Sequence, residues 1–345
     1  MDHLPYELLY TILKYSSQFE NAVCYKSCRL FYRLRHLLPI QIYQIIDCHD
    51  SSNVNDCTTS IIFDDNFQEE IHKLPKLLMY LELGKYYNKC LPHIPCHVRS
   101  IKFGYKFNKE LNKLPQSLKR ITFDNQFDQR VDNLPNSLTH LKFGYTFDRQ
   151  ITHLPHSLKN LIFGEYFDQN IGALSSCTHL TRLKFGHRFN HQLPKLPQSL
   201  KRLIFGKVFD QEVDDLPNSI TYIKFGYNFN QEILKLPSSL RYVIFGGSFK
   251  QDVNNLPNSV THLSLGFHFN QKINKLPQSL QYLKFNRHFN QELHNLPQSL
   301  KYIKFGIKYE QILRNVPISL THIWISRRYH HTIPRTITKI FRINF

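Results

Sequence analysis

The chain has 345 residues, 41% of them hydrophobic and 20% charged, which is apolar enough to fill one or two cores. No stretch approaches 18 uncharged apolar residues, so a transmembrane helix is excluded, and seven irregularly spaced cysteines argue against a secreted disulfide framework. Formal charge is +18; residues 1–60 hold five Lys or Arg against six Asp or Glu, so the basic excess lies beyond them and would draw an acidic partner there.

At the N-terminus, Asp2, Glu7, Lys14 and Glu20 interrupt what a secretory signal would keep apolar, so an intracellular protein is expected. Leu4, Leu8, Leu9, Ile12 and Leu13 recur at helical spacing, and Pro5 with Glu7 suits a first helical turn. Two further short helices are predicted, over 22–28 and 30–37. On physical grounds alone, such a segment is a helical cap that shields the adjoining part of the chain from water.

The same stretch resembles an F-box, a small all-α module. Leu4, Pro5, Glu7, Leu8 and Leu9 match its opening Leu-Pro-x-Glu-Leu-Leu, Ile12 and Leu13 continue that helix, and Val23, Ser27, Cys28, Arg29 and Phe31 match its later part. Residues 15–19 depart from the pattern. The resemblance implies that residues 1–40 dock onto the adaptor of a cullin-RING ubiquitin ligase, with Leu4, Pro5, Leu8, Leu9, Ile12 and Leu30 entering an apolar groove. Residues 41–60 read as a connecting or capping segment.

From 61 to 345 one sentence is repeated about 14 times. Aligned on one position, it gives Phe63, Leu83, Phe103, Phe123, Phe143, Phe163, Phe185, Phe205, Phe225, Phe245, Leu265, Phe285, Phe305 and Ile325. The step is 20 residues everywhere except between 163 and 185, where it is 22. Each copy reads L-x-x-L-x-F-G-x-x-F-N-x-x-I-x-x-L-P-x-S-L, and a fixed period of this size marks a solenoid. A unit with one strand cannot close its own core, so neighbours must stack, their strands joining in a parallel sheet. The predicted fold is a repeat solenoid resembling leucine-rich repeats, with that sheet on the concave face and irregular, extended segments outside.

Each column of the repeat carries an expectation. Gly after the aligned Phe suggests a left-handed turn leaving each strand. The second Phe column, Phe107 to Phe289, reads as an internal aromatic stack, and the Asn or Asp beside it as an acceptor of backbone N–H groups in the turn. Leu-Pro ends the outer segment. The units resemble FNIP repeats, as in "FNQEILKLP" at 229–237 and "FNQKINKLP" at 269–277. Departures are placed at Ser175, at a two-residue insertion near Leu193 and Pro194, and after Pro317. F-box and FNIP repeats occur together in large DNA viruses of amoebae and in social amoebae. The resemblance thus implies action in the host cytoplasm if the protein is viral.

With alternate strand residues buried, the exposed ones must choose any partner. Three before the aligned residue stand Arg202, Tyr222, Tyr242, His262, Tyr282, Tyr302 and His322; one before it stand Lys184, Lys224, Lys284, Lys304 and Trp324. Large rings beside cations suit a protein-binding face, here for an unidentified, acidic target protein. A plain interaction scaffold is the competing reading. Nucleic acid is the lesser one, because no recognised nucleic-acid motif accompanies the charge. No catalytic constellation stands out and no cofactor is implied. Cys90, His93, Cys96 and His97 have spacing unlike common zinc sites, so no metal is assigned.

Overall fold

The computed structural model describes residues 43–46, 56, 58–111 and 113–344. The F-box-like segment 1–40 and its docking residues Leu4, Pro5, Leu8, Leu9, Ile12 and Leu30 lie outside the described residues. The chain divides into two compact units, Met1–Leu138 and Thr139–Phe345.

In the first unit the strands are β1 (Tyr43–Ile46), β2 (Ser60–Phe63), β3 (Tyr80–Glu82), β4 (Ser100–Lys102) and β5 (Arg120–Thr122). Each pairs in parallel with the next, in chain order. β1 falls within 41–60 and joins the sheet ahead of the first aligned copy. The second unit contains β6 (His140–Lys142), β7 (Asn160–Ile162), β8 (Arg182–Lys184), β9 (Arg202–Ile204), β10 (Tyr222–Lys224) and β11 (Tyr242–Ile244). It continues with β12 (His262–Ser264), β13 (Tyr282–Lys284), β14 (Tyr302–Lys304), β15 (His322–Ser326) and β16 (Lys339–Ile343). These too pair in parallel in chain order, with equivalent residues in register, as Tyr222 with Tyr242 and Lys224 with Ile244. Each unit is a parallel β-solenoid.

In β3 to β14 the middle residue of each strand and the aligned residue that follows it are buried. In the second unit the aligned Phe packs on the second Phe of its own copy, with ring centroids 3.9 Å apart for both Phe185–Phe189 and Phe205–Phe209. Rings of the second column then stack from copy to copy at 6.0–6.3 Å. The first unit repeats the arrangement with Phe107 and Phe127 at 6.3 Å. The internal aromatic stack read from the sequence is therefore present.

The glycine expectation is corrected. Among the described residues no Gly has a positive φ; the left-handed conformation belongs to Asn295 and Asn315, at φ 57° and 49°. Glycine is required instead by close approach. A Cβ on Gly206 would lie 1.6 Å from the carbonyl oxygen of Gly186, and one on Gly164 would lie 1.5 Å from that of Gly144. The turn after each strand aims its carbonyl along the stacking direction at the next copy, which leaves no room for a side chain. In the last aligned copy Ser326 replaces Gly, and its strand, β15, runs on for two residues to pair with β16.

Side-chain ladders satisfy the outer turns. Each Asn or Asp after the second aromatic accepts the backbone N–H of the same position one copy on, not one in its own turn: Asn190 Oδ1 accepts from Asp210 at 2.9 Å, and Asp210 from Asn230 at 2.7 Å. The serine of Leu-Pro-x-Ser-Leu donates to a carbonyl of the preceding copy, as Ser219 to Leu200 at 2.7 Å. Pro217 in turn accepts the N–H of Ile220 at 3.1 Å, closing a turn. Buried polar groups cost stability unless paired, so these columns hold the copies in one register.

The extra residues of the 22-residue step do not lie near Leu193 and Pro194. They form a 3₁₀ helix, Gly172–Ser176, followed by buried Cys177, whose thiol burial pushes up to about 11. Pro194 belongs to the next copy, which keeps the 20-residue spacing between β8 and β9.

Candidate partner-binding face

Because side chains alternate across a strand, the first and third residues of each three-residue strand share one face, opposite the core. In β8 to β14 these positions are exposed or half-buried while the middle residue is buried. In-register parallel pairing brings residues 20 apart in sequence side by side, and the rings make contact. The Arg202 guanidinium lies 3.9 Å from the centre of the Tyr222 ring. Tyr222 is 6.1 Å from Tyr242, Tyr242 is 4.3 Å from His262, and His262 is 5.8 Å from Tyr282. A second cluster joins Tyr302 to His322 at 4.6 Å and to Trp324 at 6.5 Å.

The electrostatics reflect partial burial. Burial alone holds the His262 imidazole below its ordinary pKa and raises the Tyr282 hydroxyl. Lys284 is lowered by burial and next by its neighbour Lys304. Thr261 Oγ1 lies 2.9 Å from His262 Nδ1, and Thr321 Oγ1 lies 2.8 Å from His322 Nδ1, so each ring is held by the residue before it. In the second unit no carboxylate occupies either exposed strand position from β6 to β14. Such a face offers flat, preordered rings beside cations.

The residues expected on this face are all on it: Lys184, Arg202, Tyr222, Lys224, Tyr242, His262, Tyr282, Lys284, Tyr302, Lys304, His322 and Trp324. They do not form one unbroken ladder, since ring contacts stop between Tyr282 and Tyr302. Sequence reasoning missed Phe341, whose ring stacks on Trp324 at 4.8 Å with planes 9° apart. Phe341 follows its strand partner by 17 residues instead of 20, so the repeat period could not reveal it. The threonines had a usable signal, the recurrent Thr-His pair.

Elsewhere, His93, Cys96 and His97 line a cavity of about 390 Å³ with His72. Cys96 Sγ lies 3.5 Å from His97 Nδ1, and the Cys90 carbonyl accepts the Tyr87 hydroxyl at 3.2 Å.

The FNIP repeat model matches residues 87–126, 107–146, 127–166, 209–248, 229–268, 250–288, 269–308 and 289–328, which merge into 87–166 and 209–328, more than half of the chain. The chain belongs to the FNIP repeat family. Among solved structures, this FNIP repeat protein is similar to CroV588, described as a novel circular LRR protein, with 37% identity and a TM-score of 0.81 over 87% of the chain. It spans about half of CroV588, 49% of that chain. It is also similar to YopM, a leucine-rich effector protein from Yersinia pestis, with 21% identity and a TM-score of 0.56 over 79% of this chain and 78% of that one. The second likeness shows the fold alone. No curated protein matches. Among the described residues, no helix of this FNIP repeat protein is long and apolar enough to cross a membrane.

Proposed function

We propose that this protein is a noncatalytic recognition subunit whose repeats capture a target protein on the exposed face of β8 to β15. The observation that carries the reading is the run Arg202–Tyr222–Tyr242–His262–Tyr282, ring on ring, with unneutralised lysines beside it. Rigid aromatics contribute contact area at low entropic cost, and the cations favour an acidic target.

In the fuller form of the proposal, residues 1–40 dock the adaptor of a cullin-RING ubiquitin ligase, so that the captured target is presented for ubiquitin transfer by partners, in the host cytoplasm if the protein is viral. That form is supported by the F-box-like match of Leu4, Pro5, Leu8, Leu9, Ile12 and Leu30. A co-precipitation with the host adaptor tests it. Wild type should retain the adaptor and the Leu8→Asp, Leu9→Asp double variant should lose it; no adaptor with wild type removes the ligase link and leaves an interaction scaffold. Nucleic acid on the basic face is the remaining reading, and the absence of oligonucleotide binding at low salt would dismiss it.

A further inference from the structure

The exposed column just before the aligned residue keeps cations apart. In the second unit Lys142, Ile162, Lys184 and Ile204 alternate, and the pattern continues to Ser264. It then breaks: Lys284 and Lys304 stand at paired register positions in β13 and β14. Like charges directly opposite one another on neighbouring strands repel. Nothing nearby offsets the repulsion, because among the described residues Lys284, Lys304 and Arg287 form no ion pair. The region is basic throughout, with thirteen Lys or Arg in residues 253–345 against two carboxylates, Glu292 and Glu310.

The same residues enclose space. A cavity of about 430 Å³ is lined by Lys284, Lys304, Arg287, Asn286, Phe267 and Ile307, together with backbone of the intervening turns. It lies beside the interruption in the ring ladder between Tyr282 and Tyr302. Its volume falls in the range of small-ligand pockets. No carboxylate lines it, and one wall is aromatic, with the Arg287 guanidinium 5.8 Å from the centre of the Phe267 ring. The Asn286 amide donates to the Leu265 carbonyl at 2.7 Å, which fixes this lining side chain.

A carboxylate brings one charge and two oxygens. A phosphate monoester brings up to two charges and three oxygens, the better match to three cations lining one pocket. We propose that the pocket between β13 and β14 binds a phosphate monoester through Lys284, Lys304 and Arg287, with Phe267 against the group that bears it. Binding relieves the repulsion between the two lysines, and the depressed pKa of Lys284 is the sign that this repulsion and burial are uncompensated in the free protein.

The experiment is calorimetric titration of the full chain with phenyl phosphate and, in parallel, with a phosphoserine peptide. Saturable one-to-one binding is expected, weakened at least tenfold by Lys304→Gln and by Arg287→Gln. Lys304→Gln should also melt no lower than wild type without ligand, because it removes a repulsion. The tighter of the two probes identifies the source as a small metabolite or a protein side chain, and either result supports the site. No saturable binding, binding by both variants as tight as by wild type, or displacement of phenyl phosphate by a lower concentration of single-stranded oligonucleotide overturns it. The titration needs neither the adaptor nor a protein target, so its failure and that of the co-precipitation are separate.

Discussion

Two stretches of sheet, β3 to β5 in the first unit and β9 to β14 in the second, share one core pattern but differ in the residues exposed on their strands. Behind both, the aligned and second-column rings stack in the same way. In front, the first stretch carries a carboxylate that pairs one of its two cations: the Tyr80 hydroxyl hydrogen-bonds to Glu82, and Lys102 pairs with Glu82 at 2.5 Å. The second stretch has no carboxylate on its face and sets ring against ring. A repeat needs its core columns to be interchangeable, whereas its face is free to vary. The unbalanced stretch is therefore where selection by a partner can have acted.

The comparison breaks most visibly at the glycines. If close approach is the common requirement, Gly104→Ala and Gly206→Ala should each cost about 4 kcal/mol or more, since a Cβ would meet the preceding glycine's carbonyl oxygen at 1.9 and 1.6 Å. Denaturant melts that show one glycine tolerated would separate the two cores. Next in size, Phe127→Ala and Phe209→Ala remove fully buried rings and should each lose about 3–5 kcal/mol. Values differing by more than about 1.5 kcal/mol would mean that the stacks are not equivalent, given the spread that repacking allows.

A smaller effect of opposite sign is expected where the second column changes from Phe to Tyr. The Tyr87 hydroxyl finds the Cys90 carbonyl, and burial pushes its pKa up to about 12. The Tyr309 hydroxyl is buried without a partner, and burial raises it further still. Tyr309→Phe should therefore stabilise by about 1 kcal/mol, while Tyr87→Phe should not, as thermal denaturation would show.

On the faces themselves, Lys102→Ala and Tyr242→Ala should each change stability by less than about 1 kcal/mol. Only Tyr242→Ala should reduce capture of a target, and equal loss of capture by both would erase the contrast between the stretches. The least effect is acid dependence. Because burial lowers the folded pKa of His262 below its ordinary 6.5, the unfolded chain binds more protons below that pH. Stability should thus fall as pH drops through 6.5, and His262→Gln should flatten that slope.

Much of the fold was legible because each signal was repeated a dozen times. Phe209, Leu203 and Asp210 each have counterparts in nearly every copy, so period and burial could be read directly. The exposed columns were legible for the same reason, since alternation assigns them to one face. What the period could not supply was any contact outside it. Phe341 reaches Trp324 through a 17-residue step, and the two-residue excess sits in the 3₁₀ helix Gly172–Ser176, one copy earlier than Leu193 and Pro194 suggest. Nor could a column of glycines distinguish a left-handed turn from a crowded one, because both forbid a Cβ.

By itself the sequence determined a stack of equivalent one-strand units, their buried columns and the residues left outside, because a unit that cannot bury its own apolar face must bury it against the next. Tertiary structure decided the rest: the glycines serve contact between copies, the asparagines hold the neighbouring copy, and Lys284, Lys304 and Arg287 converge on one cavity. These are relations between residues 20 apart or out of period. They depend on where one copy's carbonyls and side chains point along the stack, which no residue's identity states on its own.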